Sequence, residues 1–163
     1  MRIGIISDTH DHIPHLKQAV EIFKDREVDL VIHSGDFCSP FMIPLFEGLN
    51  VKGIYGNNDG DKYLLKQKFD DIEADLQGEF FELNTDDLLI AVYHGTYEAI
   101  TEALRTCQKY DVVISGHTHQ KVHKKEGKTL AVNPGTAHGF GENGSIAILE
   151  TETRNVDFID LEE

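Results

Sequence analysis

An α/β fold in which two sheets pack face to face is predicted by three features of this chain. Six short apolar runs, at residues 3–6, 30–32, 53–55, 89–92, 112–114 and 130–132, are rich in Val and Ile and read as strands buried on both faces. Strand and helix patterns alternate at the start, which implies a parallel sheet with right-handed crossovers. The last third switches to consecutive short strands, so a second sheet is expected against the first. At 163 residues the chain can bury one substantial core and is short for two. No low-complexity linker or fixed-period repeat divides it, and a single domain over 1–163 is expected.

The elements follow in order. A strand over 3–7 leads into a helix over 14–24, where Pro14 suits the first turn and Leu16, Ala19, Val20 and Phe23 recur at helical spacing. A strand at 30–33, a short helix at 40–47 and a strand at 51–55 complete a β-α-β-α-β opening. Residues 62–69 suit a short helix. Strands at 80–83 and 88–93 flank the polar stretch Asn84, Thr85, Asp86 and Asp87, which predicts a hairpin. A helix over 98–109 places Ile100, Ala103, Leu104 and Cys107 on one face. Strands are then expected at 112–115, 121–125, 129–132, 145–149 and 156–159.

Composition narrows the function classes. Hydrophobic content of 40% and charged content of 27% fit a soluble globular chain. No run approaches ~18 consecutive apolar residues, so a membrane-spanning helix is excluded. No basic region with a long apolar stretch precedes Ile3, and a cytoplasmic location is the expectation. Cys38 and Cys107 form no C-x-x-C pair and are expected to be reduced and partly buried. The net charge of −14 works against binding a long nucleic-acid backbone, which needs a basic patch. A small phosphorylated substrate remains compatible, because two bound divalent cations would reverse the field at one pocket. The acidic surplus, mainly in 70–87 and 150–163, reads as solvated surface.

Each apolar run stops at turn or ligand-type residues. In order these are Asp8 and His10; Gly35 and Asp36; Gly56, Asn57, Asn58 and Asp59; His94 and Gly95; Gly116, His117, Thr118 and His119; and Asn133, Pro134 and Gly135. In an open α/β sheet, ligands bind beyond the carboxyl ends of the strands, where these clusters would lie. Asp8 and His10 are two apart, so from an extended chain their side chains point the same way. His117 and His119 repeat that spacing. Asp36 follows the tight exit that Gly35 allows, and its two oxygens let it bridge two ions. Asn57 offers a neutral carbonyl oxygen and His94 an imidazole. The mixture of carboxylate, amide and imidazole suits Mn, Fe, Zn, Ni or Co better than Ca. Two such ions ~3.5–4 Å apart can activate a bridging water and stabilise phosphoryl charge. Singly, a D-x-H, a Gly-Asp or a strand-end His is a weak signal. Their joint occurrence in this order points to a metal-dependent enzyme site.

This motif set, D-x-H, G-D, G-N-x-D, H-G and G-H-x-H, resembles that of the calcineurin-like metallophosphoesterases. The match runs from Asp8 to His119, and Asn133, Pro134 and Gly135 extend it with a turn typical of the family. Length and order are most similar to the small single-domain phosphodiesterase branch of bacteria and archaea, which includes the retromer-subunit homologues. The resemblance implies a four-layer α-β-β-α sandwich with two central mixed sheets. It implies a phosphodiesterase acting through a dinuclear metal centre and a metal-bridging water or hydroxide. Asp8, His10, Asp36 and His119 would bind the first metal, and Asp36, Asn57, His94 and His117 the second, with Asp36 bridging. Mn or Ni is the first choice of metal, followed by Fe, Zn or Co. Asp36, Asn58, Asp59 and His94 are the catalytic candidates. The expected partner is a small phosphoester substrate, with no long nucleic acid and no membrane. An open sheet also allows a homo-oligomer.

One position departs from the family pattern. Asn58 stands where a His usually assists the leaving group, which removes that acid and leaves the metal set intact. Asp59 keeps its family place and is expected to orient its neighbours. His12 is a candidate for supplying the missing proton. His33 is expected to be packed, His15 solvent-exposed, His123 on a strand's wet face and His138 at the pocket edge. Phe37, Phe41 and Phe140 either wall the pocket or fill the core. The alternative functions are a non-catalytic interaction scaffold of the same fold and a phosphomonoesterase or pyrophosphatase. A scaffold predicts decay of the metal ligands, whereas all seven are present here.

Overall fold

The buried runs do become the centre of two sheets. The computed structural model describes residues 1–85, 88–141 and 143–162. The first half comprises β1 (Arg2–Ile6), α1 (Ile13–Asp25), β2 (Leu30–His33), a 3-10 helix (Pro40–Phe46), β3 (Val51–Gly53), α2 (Lys62–Asp71) and β4 (Asp75–Leu76). Next come β5 (Phe80–Thr85), β6 (Leu88–Tyr93), α3 (Glu98–Thr106), β7 (Val112–Ile114), β8 (Lys121–Glu126), β9 (Thr129–Pro134), β10 (Gly144–Glu150) and β11 (Asn155–Leu161). One sheet has the order β11-β10-β1-β2-β3-β4 and the other β5-β6-β7-β9-β8. Both are mixed. β1 to β4 are parallel with an antiparallel β10-β11 extension, and parallel β6, β7 and β9 carry antiparallel edges.

Burial sorts into four layers. Ile3, Ile5, Leu30 and Ile32 face Ile90, Val92, Val112, Ile114 and Val132 between the sheets. Each such side chain contributes about 1.5–3 kcal/mol when fully buried. Ile6, Val31 and Val51 point the other way, against Leu16, Val20 and Phe23 of α1, Met42 and Phe46 of the 3-10 helix, and Leu65 and Phe69 of α2. The far face of the second sheet is covered by α3, where Leu104 packs on Ala91, Tyr110 and Val113. Register then sets the site. Ile6 pairs with His33 and His33 with Gly53, while Val92 pairs with Ile114 and Ile114 with Val132. The strand ends in each sheet therefore stop level, and the ligand-bearing loops leave together.

Several elements differ from expectation. The segment at 40–47 is a 3-10 helix because Pro44 inside it has no N–H for an α-helical ladder. The third strand ends at Gly53, and two-residue β4 is too short to show a period. In α3, Thr101 is the buried residue, whereas Ile100, Ala103 and Cys107 are exposed. The small outer cluster cannot cover the whole apolar stripe. Cys107 therefore departs from the partly buried state expected of it, while Cys38 is half-buried. The expected turn residues Asp86 and Asp87 lie outside the described residues, although β5 and β6 pair antiparallel from Phe80 with Tyr93 to Thr85 with Leu88. No described helix is long and apolar enough to cross a membrane.

Candidate metal centre

Five strand ends supply the seven expected ligands: β1 gives Asp8 and His10, β2 Asp36, β3 Asn57, β6 His94, and β7 His117 and His119. Backbone hydrogen bonds stitch the loops. The N–H groups of Asp8 and His10 donate to the Gly35 and Asp36 carbonyls at 3.0 and 3.2 Å, and Gly116 N–H donates to the His94 carbonyl at 2.8 Å. The side chains do not converge by strand alternation. Asp8, His10, Asp36, His117 and His119 have φ of +54°, +39°, +62°, +66° and +59°. Left-handed backbone at non-Gly residues costs about 1–3 kcal/mol each and gathers at functional sites. The D-x-H spacing thus works through left-handed turns.

The resulting cluster is tight. His10 Nε2 lies 3.6 Å from Asp8 Oδ1 and 3.5 Å from Asp36 Oδ2, and His119 Nε2 lies 3.2 Å from Asp8 Oδ1. His94 Nε2 is 3.4 Å from Asp36 Oδ2 and 3.1 Å from Asn57 Oδ1, and the His117 ring is 5.2 Å from the His94 ring. Asp8, His10 and His119 form one group of converging ligand atoms, and Asp8, Asp36 and His94 another. Asp8 entering both groups was not anticipated. Asp8 Oδ1 and His10 Nε2 are buried and have no hydrogen-bond partner among the described residues. An unsatisfied buried polar atom costs about 1–3 kcal/mol, more if charged, so this pair marks a place prepared for a cation. The donor set, carboxylates with imidazoles, fits a divalent transition metal.

Electrostatics agree. Burial alone would raise the Asp8 carboxyl, but the His10, His119 and His94 rings and the Ser7 hydroxyl outweigh it and hold the group far below the usual carboxylate range. Asp36 is lowered in the same way, against burial, by His94 and by the amide groups of Asn58. Burial would lower His94, yet the Asp36 and Asp8 carboxylates and the Ser34 carbonyl bring it above its ordinary value. His119 is raised first by its contact with Asp8.

A surrounding shell aims these groups. Asn58 donates its N–H to Asp36 Oδ1 and its side-chain amide to Asp36 Oδ2, both at 2.8 Å, so it grips the carboxylate expected to bridge. Buried Asp59 accepts the N–H groups of Asp36, Gly56 and Cys38 at 2.7–2.8 Å and ties two loops together. His94 Nδ1 donates to the Ser34 carbonyl at 2.8 Å, which turns Nε2 inward. A Cβ at Gly56 would collide with the Asp36 carboxylate, and one at Gly116 with Ser7 Oγ. Sequence reasoning missed two supports, Ser7 Oγ, which donates to Asp8, and Cys38 Sγ, 3.3 Å from His10 Nδ1, while Asn133, expected as a turn residue, also donates its amide to the Gly116 carbonyl at 2.7 Å. No spacing signal distinguishes such residues from ordinary loop polar groups.

The remaining candidates separate clearly. His15 is buried, contrary to expectation, because the loop after β9 folds over the start of α1 and the His15 ring donates to the Ala137 carbonyl at 2.8 Å. His12 caps α1, its Nδ1 accepting the His15 N–H, and its ring packs on His15 and His138. His33 is fully buried against Phe37, and His123 is exposed on β8. Half-buried His138 stands at the rim, 6.3 Å from the His10 ring. Phe37 belongs to the core and Phe41 is exposed. Phe140 walls the site: it stacks on His119 and His138 and meets His10 edge-on at 4.7 Å.

Known proteins resemble this chain in sequence and in fold. The calcineurin-like phosphoesterase superfamily domain matches residues 1–154. A phosphodiesterase of Methanocaldococcus jannaschii is 43% identical over 166 residues, covering 99% of this chain and 100% of that protein. The solved structure of an archaeal phosphodiesterase matches with a TM-score of 0.93 at 42% identity, over 99% of this chain and 100% of that one. The zinc complex of Vps29 from Entamoeba histolytica shares the fold alone, with a TM-score of 0.65 at 19% identity over 99% of this chain and 100% of that one. With the domain match spanning nearly its whole length and a full-length relative at 43% identity, the chain belongs to the calcineurin-like phosphoesterase superfamily.

Proposed function

We propose that this protein is a metal-dependent phosphodiesterase that hydrolyses a small phosphodiester at a dinuclear centre. The observation that carries the reading is the buried pair Asp8 Oδ1 and His10 Nε2, without a hydrogen-bond partner among the described residues and set among Asp36, His94 and His119. The full-length relative named as a phosphodiesterase supports the choice of diester.

In this reading Asp8, His10, Asp36 and His119 hold one divalent cation, and Asp36, Asn57, His94 and His117 hold a second. Bound there, the cations supply an activated water and neutralise charge on the phosphoryl oxygens. Asn58 and Asp59 act before chemistry, keeping Asp36 and its loop in place. His94 would reach its cation through Nε2, because its Nδ1 is committed to the Ser34 carbonyl and Nε2 faces the site. Imidazole suits Ni and the carboxylate and amide oxygens suit Mn, which makes these two metals the first choices. The Asn58 amide can donate a hydrogen bond but has no acidic proton to give a departing oxygen. Aryl esters, whose oxyanions leave unaided, should therefore outrun alkyl esters. A scaffold function leaves the convergence of Asp8, His10, Asp36, His94 and His119 without a purpose.

The test is turnover of an aryl phosphodiester, an aryl phosphomonoester and an alkyl diester by Mn- or Ni-loaded protein. General-acid help is worth ~10²–10⁴-fold, so without it the alkyl diester should trail the aryl diester by the full difference in leaving-group reactivity, a gap that an acid would narrow by that factor. Preferred hydrolysis of the monoester would replace the diesterase reading by a phosphomonoesterase.

A further inference from the structure

A cavity of about 260 Å³ opens beside Asn57 and His94. It is slightly smaller than the ~300–1,000 Å³ of sites for drug-sized ligands, so it suits a single ring system. Tyr55, Tyr93 and Tyr97 line it. Lys62 lines it too, but its ammonium pairs with Glu79 at 2.7 Å and sits over the Tyr55 ring. The charge there is already matched, which makes the cavity a poor place for a second anion.

The Tyr97 side chain gives the helix it begins no cap. It occupies the N-cap of α3, where Ser, Thr, Asp or Asn would stabilise the helix by about 1 kcal/mol, and its side chain makes no capping hydrogen bond. The residue is 67% exposed. Its backbone N–H donates to the hydroxyl of buried Tyr93 at 3.1 Å, so the end of β6 holds it beside His94. The chain thus gives up a cap to keep a large aromatic face open at the edge of the metal centre.

We propose that this cavity is a subsite for a flat aromatic group, an aryl ring or a nucleobase, carried on one ester arm of the substrate, with Tyr97 as its stacking platform. The inference rests on the phosphodiesterase reading of the adjoining centre. An aromatic arm would stack on Tyr97 while the phosphate lies among the metal ligands. An alkyl arm would gain little.

The test is equilibrium titration of Mn-loaded protein with phenyl phosphate, adenosine 5′-phosphate and ethyl phosphate, which share one phosphate head. Aromatic pairing of ~0.5–1.5 kcal/mol predicts that the aromatic esters bind about 2–10-fold tighter than ethyl phosphate. Tyr97→Ala should erase that advantage, and Tyr97→Phe should keep it. A gain larger for the adenosine ester supports a nucleobase arm, and a gain confined to the phenyl ester supports a simple aryl arm. Equal affinities for all three esters, no binding of any, or an aromatic advantage that survives Tyr97→Ala would overturn the subsite. The activity reading fails separately, by an absence of diester turnover in protein that still distinguishes phenyl from ethyl phosphate.

Discussion

Asp36 is the carboxylate that both histidine groups approach: both of its oxygens accept from Asn58, and His10 and His94 approach Oδ2. A ligand shared by two ions cannot be replaced by a neutral amide without weakening both. Removal of a merely supporting residue costs ~10–100-fold in metal affinity, so Asp36→Asn should exceed about 100-fold at both sites together. Competition with a fluorescent chelator measures this; two ions held at wild-type affinity would remove Asp36 from the bridging position. His33 makes a different prediction at the same scale. Burial lowers its imidazole from 6.5 to about 3, against the pull of Asp8. The unfolded chain binds that proton below 6.5 and the folded chain only near 3, so the contribution of neutral His33 is complete above 6.5. It is lost as pH falls through that window, by up to ~1.4 kcal/mol per pH unit. Urea unfolding of chelator-treated protein should show a shallower decline for His33→Gln than for the wild type. Equal slopes would mean that His33 titrates normally.

Loops set the site, and they explain what the sequence disclosed and what it hid. The strands were readable because continuous Val and Ile runs have few other uses, and Asp8, His10, Asp36, His94, His117 and His119 were readable because they stop those runs. How they converge was not readable, since left-handed φ at Asp8, His10 and His117 depends on contacts between loops far apart in sequence. Burial of His15 escaped notice for the same reason: Ala137, its partner, is 122 positions away. The apolar stripe of α3 misled because periodicity reports a face and says nothing of how much surface waits to receive it. The loop from β9 to β10 makes the prediction at this scale. It carries Phe140, which packs on both His10 and His119 of the first ligand set. Phe140→Ala should weaken the first ion by ~10-fold or more while sparing the second, and Phe140→Tyr should restore it. Metal titration resolving two affinities decides this; equal loss at both would make the effect a general loosening.

At the scale of the molecule, two level sheet edges present one floor of candidate metal ligands on a chain of net charge −14. The acidic surface repels free phosphate esters, so productive binding requires bound cations to invert the field at that floor. In the proposed reading fold and chemistry are joined: Asp8 Oδ1 and His10 Nε2, buried and without a hydrogen-bond partner among the described residues, would take up a cation, which would in turn hold the phosphoester. The most direct measurement strips the protein with a chelator, verifies metal loss by elemental analysis, and follows aryl phosphodiester turnover as Mn or Ni is returned. The expected result is no turnover in the stripped protein and full recovery as about two ions bind per chain. Undiminished turnover in protein verified to be free of metal would contradict it.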